Sequence, residues 1–189
     1  MKTLFRLGLI SLILLTIGAC GFHLRNTASL PSALSPIYIG GPAGGGGFGT
    51  KLRYQLTNAN TEVTQFSNQA AYQLLILSKD EDKRIISLDR RGLAAEYGLS
   101  MNVAFELRDR ENHIVFGPQR ISERRTITND PDNALTTAQD IGIVSDDMDQ
   151  VLAAQIVRRL GAYTTHNKLK KQTLPAQTGD NSAAPATAK

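Results

Sequence analysis

The sequence predicts an α+β fold: a two-layer sandwich with two helices packed on one face of a four- or five-stranded, mostly antiparallel sheet. Three observations carry this. Residues 97–107 alternate strictly, with Tyr97, Leu99, Met101, Val103, Phe105 and Leu107 on one side and Gly98, Ser100, Asn102, Ala104 and Glu106 on the other. That period of two belongs to a strand with one buried face and one small, polar face turned to water or a wet partner. Ile141, Val144, Met148, Val151, Leu152, Ile156 and Leu160 recur three or four apart and predict a long amphipathic helix. Turn signals at Arg91-Gly92 and from Asp109 to Asn112 separate neighbouring apolar runs as hairpins do.

The N-terminal residues place the chain in a compartment. Lys2 and Arg6 precede Leu7 to Ile17, eleven residues without a charge. As a helix that run would span roughly 16 Å, about half a hydrocarbon core, which suits the apolar part of a secretory leader. Ile17-Gly18-Ala19-Cys20 follows, an aliphatic residue and two small residues before Cys, in the pattern of a bacterial lipobox. Residues 1–19 are therefore expected to be removed, with Cys20 lipidated. Cys20 is the only cysteine in the sequence, and lipidation consumes a thiol that would otherwise stand unpaired in an oxidising compartment. Gly21, where Asp would signal retention at the inner membrane, points to outer-membrane sorting, and several acyl chains would hold the protein there stably.

Loss of Lys2 and Arg6 leaves 19 basic residues against 17 acidic ones. That balance is too weak to argue for nucleic acid.

Residues 20–36, small and polar with Pro31 and Pro36, read as an extended lead. A single domain is expected over 37–165. Ile37-Tyr38-Ile39 is a short strand, residues 40–49 are a loop, and Leu52, Leu56 and Ala59 predict a helix starting near Thr50. Glu62 to Phe66 reads as a strand. Tyr72 to Ser78 and Arg84 to Leu88 read as two strands parted by the polar run Lys79-Asp80-Glu81-Asp82-Lys83. Ile114-Val115-Phe116 and residues 121–128 are strand-like on either side of a break at Pro118. Asp130-Pro131 predicts the start of the long helix, which runs to about Tyr163. Residues 166–189, rich in Lys, Thr, Ala and Pro, read as a disordered tail.

Gly44, Gly46 and Gly49 spell G-x-G-x-x-G between a strand and a helix, the setting of a dinucleotide-binding turn. Such a site also needs a parallel βαβ unit and an acid about 20 residues on. Glu62 has nearly that spacing, whereas the downstream strands read as antiparallel hairpins. Thr50-Lys51 reverses the order a P-loop requires, and exported compartments hold little nucleotide. The competing reading is a flexible connection. His23, His113 and His166 are scattered without neighbouring ligands, so neither a metal nor another cofactor is expected. The serines form no nucleophile elbow, and no catalytic residue is assigned.

The basic pairs are the better candidates for binding. Arg90-Arg91 occupies a hairpin turn, Lys83-Arg84 precedes it, and Arg124-Arg125 lies on a strand before the long helix. Guanidinium groups hold phosphate bidentately. The same residues would also serve as solubilising surface charge or edge-strand protection.

Cys20-Gly21-Phe22-His23-Leu24-Arg25, then Ala95-Glu96-Tyr97 after the Arg90-Arg91-Gly92 turn, then Asn129-Asp130-Pro131 with Ala134-Leu135, resemble the LptE family of lipopolysaccharide-assembly lipoproteins over about residues 20–163. The resemblance implies a non-enzymatic outer-membrane lipoprotein that plugs and helps assemble the β-barrel LptD and binds lipopolysaccharide during its insertion into the outer leaflet. It also implies that Arg90 and Arg91 meet lipid A phosphates; Lys83, Arg84, Arg124 and Arg125 stay further basic candidates on the residues alone. The glycine-rich residues 40–49 depart from the family pattern. Two other readings stay open on the residues alone: a generic outer-membrane scaffold lipoprotein, and a periplasmic nucleotide-binding enzyme using Gly44 to Gly49.

Overall fold

A computed structural model describes residues 34–173. Residues 1–33, with the leader and Cys20, and residues 174–189 lie outside the described residues. The elements are β1 (Ile37–Gly40), α1 (Gly46–Asn58), β2 (Val63–Thr64), β3 (Tyr72–Leu88), β4 (Ala94–Asp109), β5 (Ile114–Thr128) and α2 (Ala134–Thr173), with a short 3-10 turn at Ser67–Gln69. The strands form one sheet in the order β2-β1-β3-β4-β5. β3, β4 and β5 pair antiparallel, while β1 lies parallel to both β2 and β3. The expected two-layer α+β sandwich is the observed one.

The helices bury their apolar stripes against one face of this sheet. Phe48, Leu52 and Leu56 of α1 and Met148, Leu152, Ile156 and Leu160 of α2 join a single core with Leu74, Ile76, Leu99, Met101, Val103, Phe105, Leu107 and Ile121. Each fully buried aliphatic or aromatic side chain contributes about 1.5–3 kcal/mol relative to exposure. This aliphatic cluster therefore supplies most of the driving force for folding. The buried side of β4 is the one its alternation predicts.

Four elements differ from the sequence reading. β3 is one strand of 17 residues instead of two. The polar run that looked like a turn stays extended because its inward side chains find partners on α2. Lys79 Nζ lies 2.8 Å from Asp149 Oδ1 and donates to Oδ2 at 3.0 Å, and Ser145 Oγ donates to Glu81 at 2.7 Å. β5 likewise runs through Pro118, and register shifts against β4 between Phe105 and Arg108 absorb the irregularity. α2 begins at Ala134, with Asn133 Oδ1 accepting from the Thr136 N–H at 3.4 Å, and it continues to Thr173. Asp130 instead folds the preceding loop, accepting from the Asp132 N–H at 3.0 Å.

The fourth difference concerns the glycine run. α1 starts at Gly46, so the last four of the ten residues of the expected loop are helical. The connection is also tight. A Cβ on Gly44 would meet Gly40 O at 2.2 Å, and one on Gly49 would meet Gly44 O at 2.1 Å. These glycines let the turn pack on its own backbone, which argues against a flexible connection. The parallel βαβ arrangement that a dinucleotide turn needs, and that the downstream hairpins argued against, is present in small form as β1-α1-β2. Glu62, however, precedes β2, where Val63 pairs with Ile37 at the start of β1. The glycine turn follows Gly40 at the other end of β1, so Glu62 stands roughly 13 Å away along the strands and cannot serve a ligand held by that turn.

Candidate functional site

The β3–β4 hairpin turn is built by Asp89. Its Oδ1 accepts from the backbone N–H groups of Arg91 and Leu93 at 2.8 and 2.9 Å, and its own N–H donates to Leu93 O at 2.7 Å. Gly92 closes the turn at φ +79°, where glycine carries no side-chain penalty. Such a turn leaves the two arginines at its apex with different tasks.

Arg91 turns back into the protein. Its Nε donates to Asp89 at 3.0 Å, and its terminal nitrogens reach both oxygens of Asp132 at 3.3 and 3.4 Å. Asp132 lies in the loop leading to α2. That loop is pinned to β4 by Asn129, whose side chain donates to Ala94 O at 2.6 Å and whose N–H donates to Ala95 O at 2.8 Å. Arg91 therefore ties the hairpin turn to the helix-leading loop. Arg90 is exposed and has no ion-pair partner among the described residues. Leu88 and Leu93, at the two ends of the turn, are exposed, Leu88 at 60%. A free guanidinium on a turn flanked by two exposed leucines is amphipathic: it suits an anion attached to hydrocarbon.

The Leu93 N–H, supported by the Arg91 guanidinium and N–H, holds the Asp89 carboxyl below the ordinary carboxylate value of 3.8 against the cost of desolvation. A lowered folded-state pKa means that ionised Asp89 supports the turn above the unfolded value. That support is lost as pH falls through the still lower folded value. The Asp89 carboxyl is expected to titrate below 3.8 by carbon NMR and to move toward it in Arg91→Gln. A midpoint at or above 3.8 in the unaltered protein would show that these hydrogen bonds do not form in solution.

The other basic pairs are split by strand alternation. Lys83 and Arg125 take the helix-side face. Lys83 Nζ stands 4.9 Å from the Tyr97 ring centroid, and Arg125 pairs with Glu123 and with Asp147 of α2. Arg84 and Arg124 take the opposite face, where they border a trough with Ile86, Gly98, Ser100 and Thr126. The sequence places these arginines in two separate pairs. The alternation of β4 puts Gly98 and Ser100 on this face, but the strand register is needed to bring the arginines to them.

Among the described residues no group of three or more His, Cys, Asp or Glu side chains could hold a metal ion. Nor is any described helix long and apolar enough to cross a membrane.

A family model described as lipopolysaccharide-assembly, LptE, matches residues 34–160. The chain is 27% identical over 175 residues to the LPS-assembly lipoprotein LptE of Photorhabdus laumondii, covering 93% of this chain and 94% of that protein. It is 28% identical over 181 residues to the LPS-assembly lipoprotein LptE of Yersinia pestis, covering 95% of this chain and 84% of that protein. Among solved structures, the solution structure of an uncharacterized lipoprotein B from Nitrosomonas europaea is similar, with a TM-score of 0.65 and 26% identity, over 79% of this chain and 96% of that one. A crystal structure of a minor lipoprotein from Acinetobacter baumannii shares the fold, with a TM-score of 0.59 and 22% identity, over 70% of this chain and 94% of that one.

Proposed function

The chain belongs to the LptE lipopolysaccharide-assembly family, and on that premise we propose that it is an outer-membrane lipoprotein that plugs and helps assemble the β-barrel LptD. In this reading it is anchored through Cys20, stands in the barrel lumen and on the periplasmic side, and binds lipopolysaccharide on its way to the outer leaflet. No catalytic step is part of this role. The observation that carries the ligand half is the hairpin tip, where the turn bearing the free Arg90 is flanked by the exposed Leu88 and Leu93. A lipid A phosphate bears charge next to acyl chains, and this tip offers a complementary surface. The barrel half is supported by the outward side of β4 beyond Ser100, where Asn102 and Ala104 suit contact with a polar lumen.

Arg90 and Arg91 contribute differently in this proposal. Arg90 meets the phosphate, and Arg91 holds the turn that presents it. The test is copurification of the full-length chain with LptD from detergent extracts, followed by lipopolysaccharide binding to the purified complex. LptD should copurify with both the unaltered chain and Arg90→Glu, and Arg90→Glu should bind lipopolysaccharide about tenfold more weakly or worse. Recovery of the chain as a free monomer would overturn the barrel assignment. Unchanged lipopolysaccharide binding by Arg90→Glu would overturn the tip.

A further inference from the structure

The trough on the outer face of the sheet is a second basic site, separate from the hairpin turn. Arg84 lies on β3 four residues before the strand ends at Leu88, about 13 Å from the turn that carries Arg90. The register sets Arg84 opposite Gly98 and Gly98 opposite Thr126, and it sets Arg124 opposite Ser100. Arg84 and Arg124 thus flank β4 from its two neighbouring strands. Gly98 lies between them without a side chain. The Arg84 stem crosses this gap: its Cγ and Nε are each 3.8 Å from where a Gly98 Cβ would stand, and Ile86 Cγ2 is 3.0 Å from it. The resulting trough measures about 180 Å³.

Its arginines are unpaired: among the described residues neither Arg84 nor Arg124 forms an ion pair, whereas Arg91, Arg108 and Arg125 all do. The nearest acids on this face are Asp82, opposite Ser100, and Glu96, which accepts from Ser87 Oγ at 2.8 Å. Neither comes within ion-pair distance of the two arginines. Two free guanidinium groups and the hydroxyls of Ser100 and Thr126 thus present hydrogen-bond donors around one small space. A phosphate group presents acceptor oxygens on all sides and matches that arrangement.

We propose that Arg84, Arg124, Ser100 and Thr126 form a phosphate-binding site whose room is created by Gly98. The group it takes is a phosphate monoester or inorganic phosphate, reached either as a lipid headgroup or free in solution. The site is independent of the hairpin tip: Arg90 takes no part in it, and its test does not read lipopolysaccharide.

The experiment follows the arginine Nε–H signals of the purified full-length chain in nonionic detergent. One arm adds sodium phosphate at constant ionic strength. The other adds phosphatidic acid to the detergent micelles, with phosphatidylcholine as its control. Saturable shifts at Arg84 and Arg124 are expected in at least one arm, and the arm that responds identifies the source. Arg124→Gln should weaken the response about tenfold or more. Gly98→Val should abolish it while keeping every charge, since a β-branched residue suits a strand and its side chain would occupy the trough. Arg90→Gln should leave it unchanged. Absence of saturable shifts in both arms overturns the site. So does an undiminished response in either Arg124→Gln or Gly98→Val, each first checked to unfold at a temperature close to that of the unaltered protein.

Discussion

Phe105→Ala is expected to lower the unfolding free energy by about 3–5 kcal/mol, a large share of what holds a domain of this size folded. Phe105 is fully buried on β4, the strand that pairs with both β3 and β5. Its ring centroid stands 6.3 Å from that of Phe116 on β5, and Phe116 in turn stands 4.8 Å from Tyr163 on α2. Truncation therefore removes a large side chain from the middle of the sheet and opens a space beneath α2. The strands around it are held by backbone ladders on both sides and can collapse only in part, so most of the cavity cost remains. Urea unfolding is the measurement: the midpoint should fall while the slope stays near its original value. A loss below about 1 kcal/mol would mean that the helix layer moves in to fill the space and that the core is less rigidly packed than its geometry implies.

The glycine turn supplies the second large effect, and its sign depends on position. Gly49→Ala adds a methyl group 2.1 Å from Gly44 O, a backbone atom that cannot swing aside as a side chain would. Helix propensity favours Ala over Gly by up to about 1 kcal/mol, but overpacking against backbone costs about 3 kcal/mol or more, so the clash wins. Gly47→Ala, two positions earlier in the same helix, meets nothing within 4 Å and should stabilise by about 0.5–1 kcal/mol. Thermal unfolding of the two variants side by side tests the pair. If both stabilise, the turn is loose enough to relax and Gly49 is not a packing requirement. The expected split would show that Gly49 is required for close packing of β1, the turn and α1.

Much of the fold was legible because its strongest signals are local. The alternation of β4 and the three-and-four spacing of α2 report burial directly, since each periodicity matches one backbone geometry. The reading failed where a distant partner changes the meaning of a local pattern. Lys79 to Lys83 resembles a turn because charged runs are usually solvated. Asp149 and Ser145 on α2 supply partners across the layer and keep the strand whole. Gly46 to Gly49 resembles a loop because glycine disfavours helix, yet tight packing against Gly44 outweighs that preference.

The candidate sites divide in the same way. Composition and spacing sufficed for the two-layer architecture and for the basic character of the hairpin turn, and the motifs from Cys20, Arg90 and Asn129 carried the family resemblance. They could not show that Arg91 is held by Asp132, which is 41 residues away in sequence. Nor could they show which face Arg84 takes. Leu74 and Ile76 point into the core, so simple alternation would send Arg84 inward as well. A register shift between Ile76 and Ser78 skips Leu77 and exchanges the two faces of β3, turning Arg84 outward to Gly98 and Arg124. Periodicity along one chain carries the pattern within a strand. Register between strands depends on the summed pairing of β3, β4 and β5, and a one-residue slip there moves every later side chain to the other face.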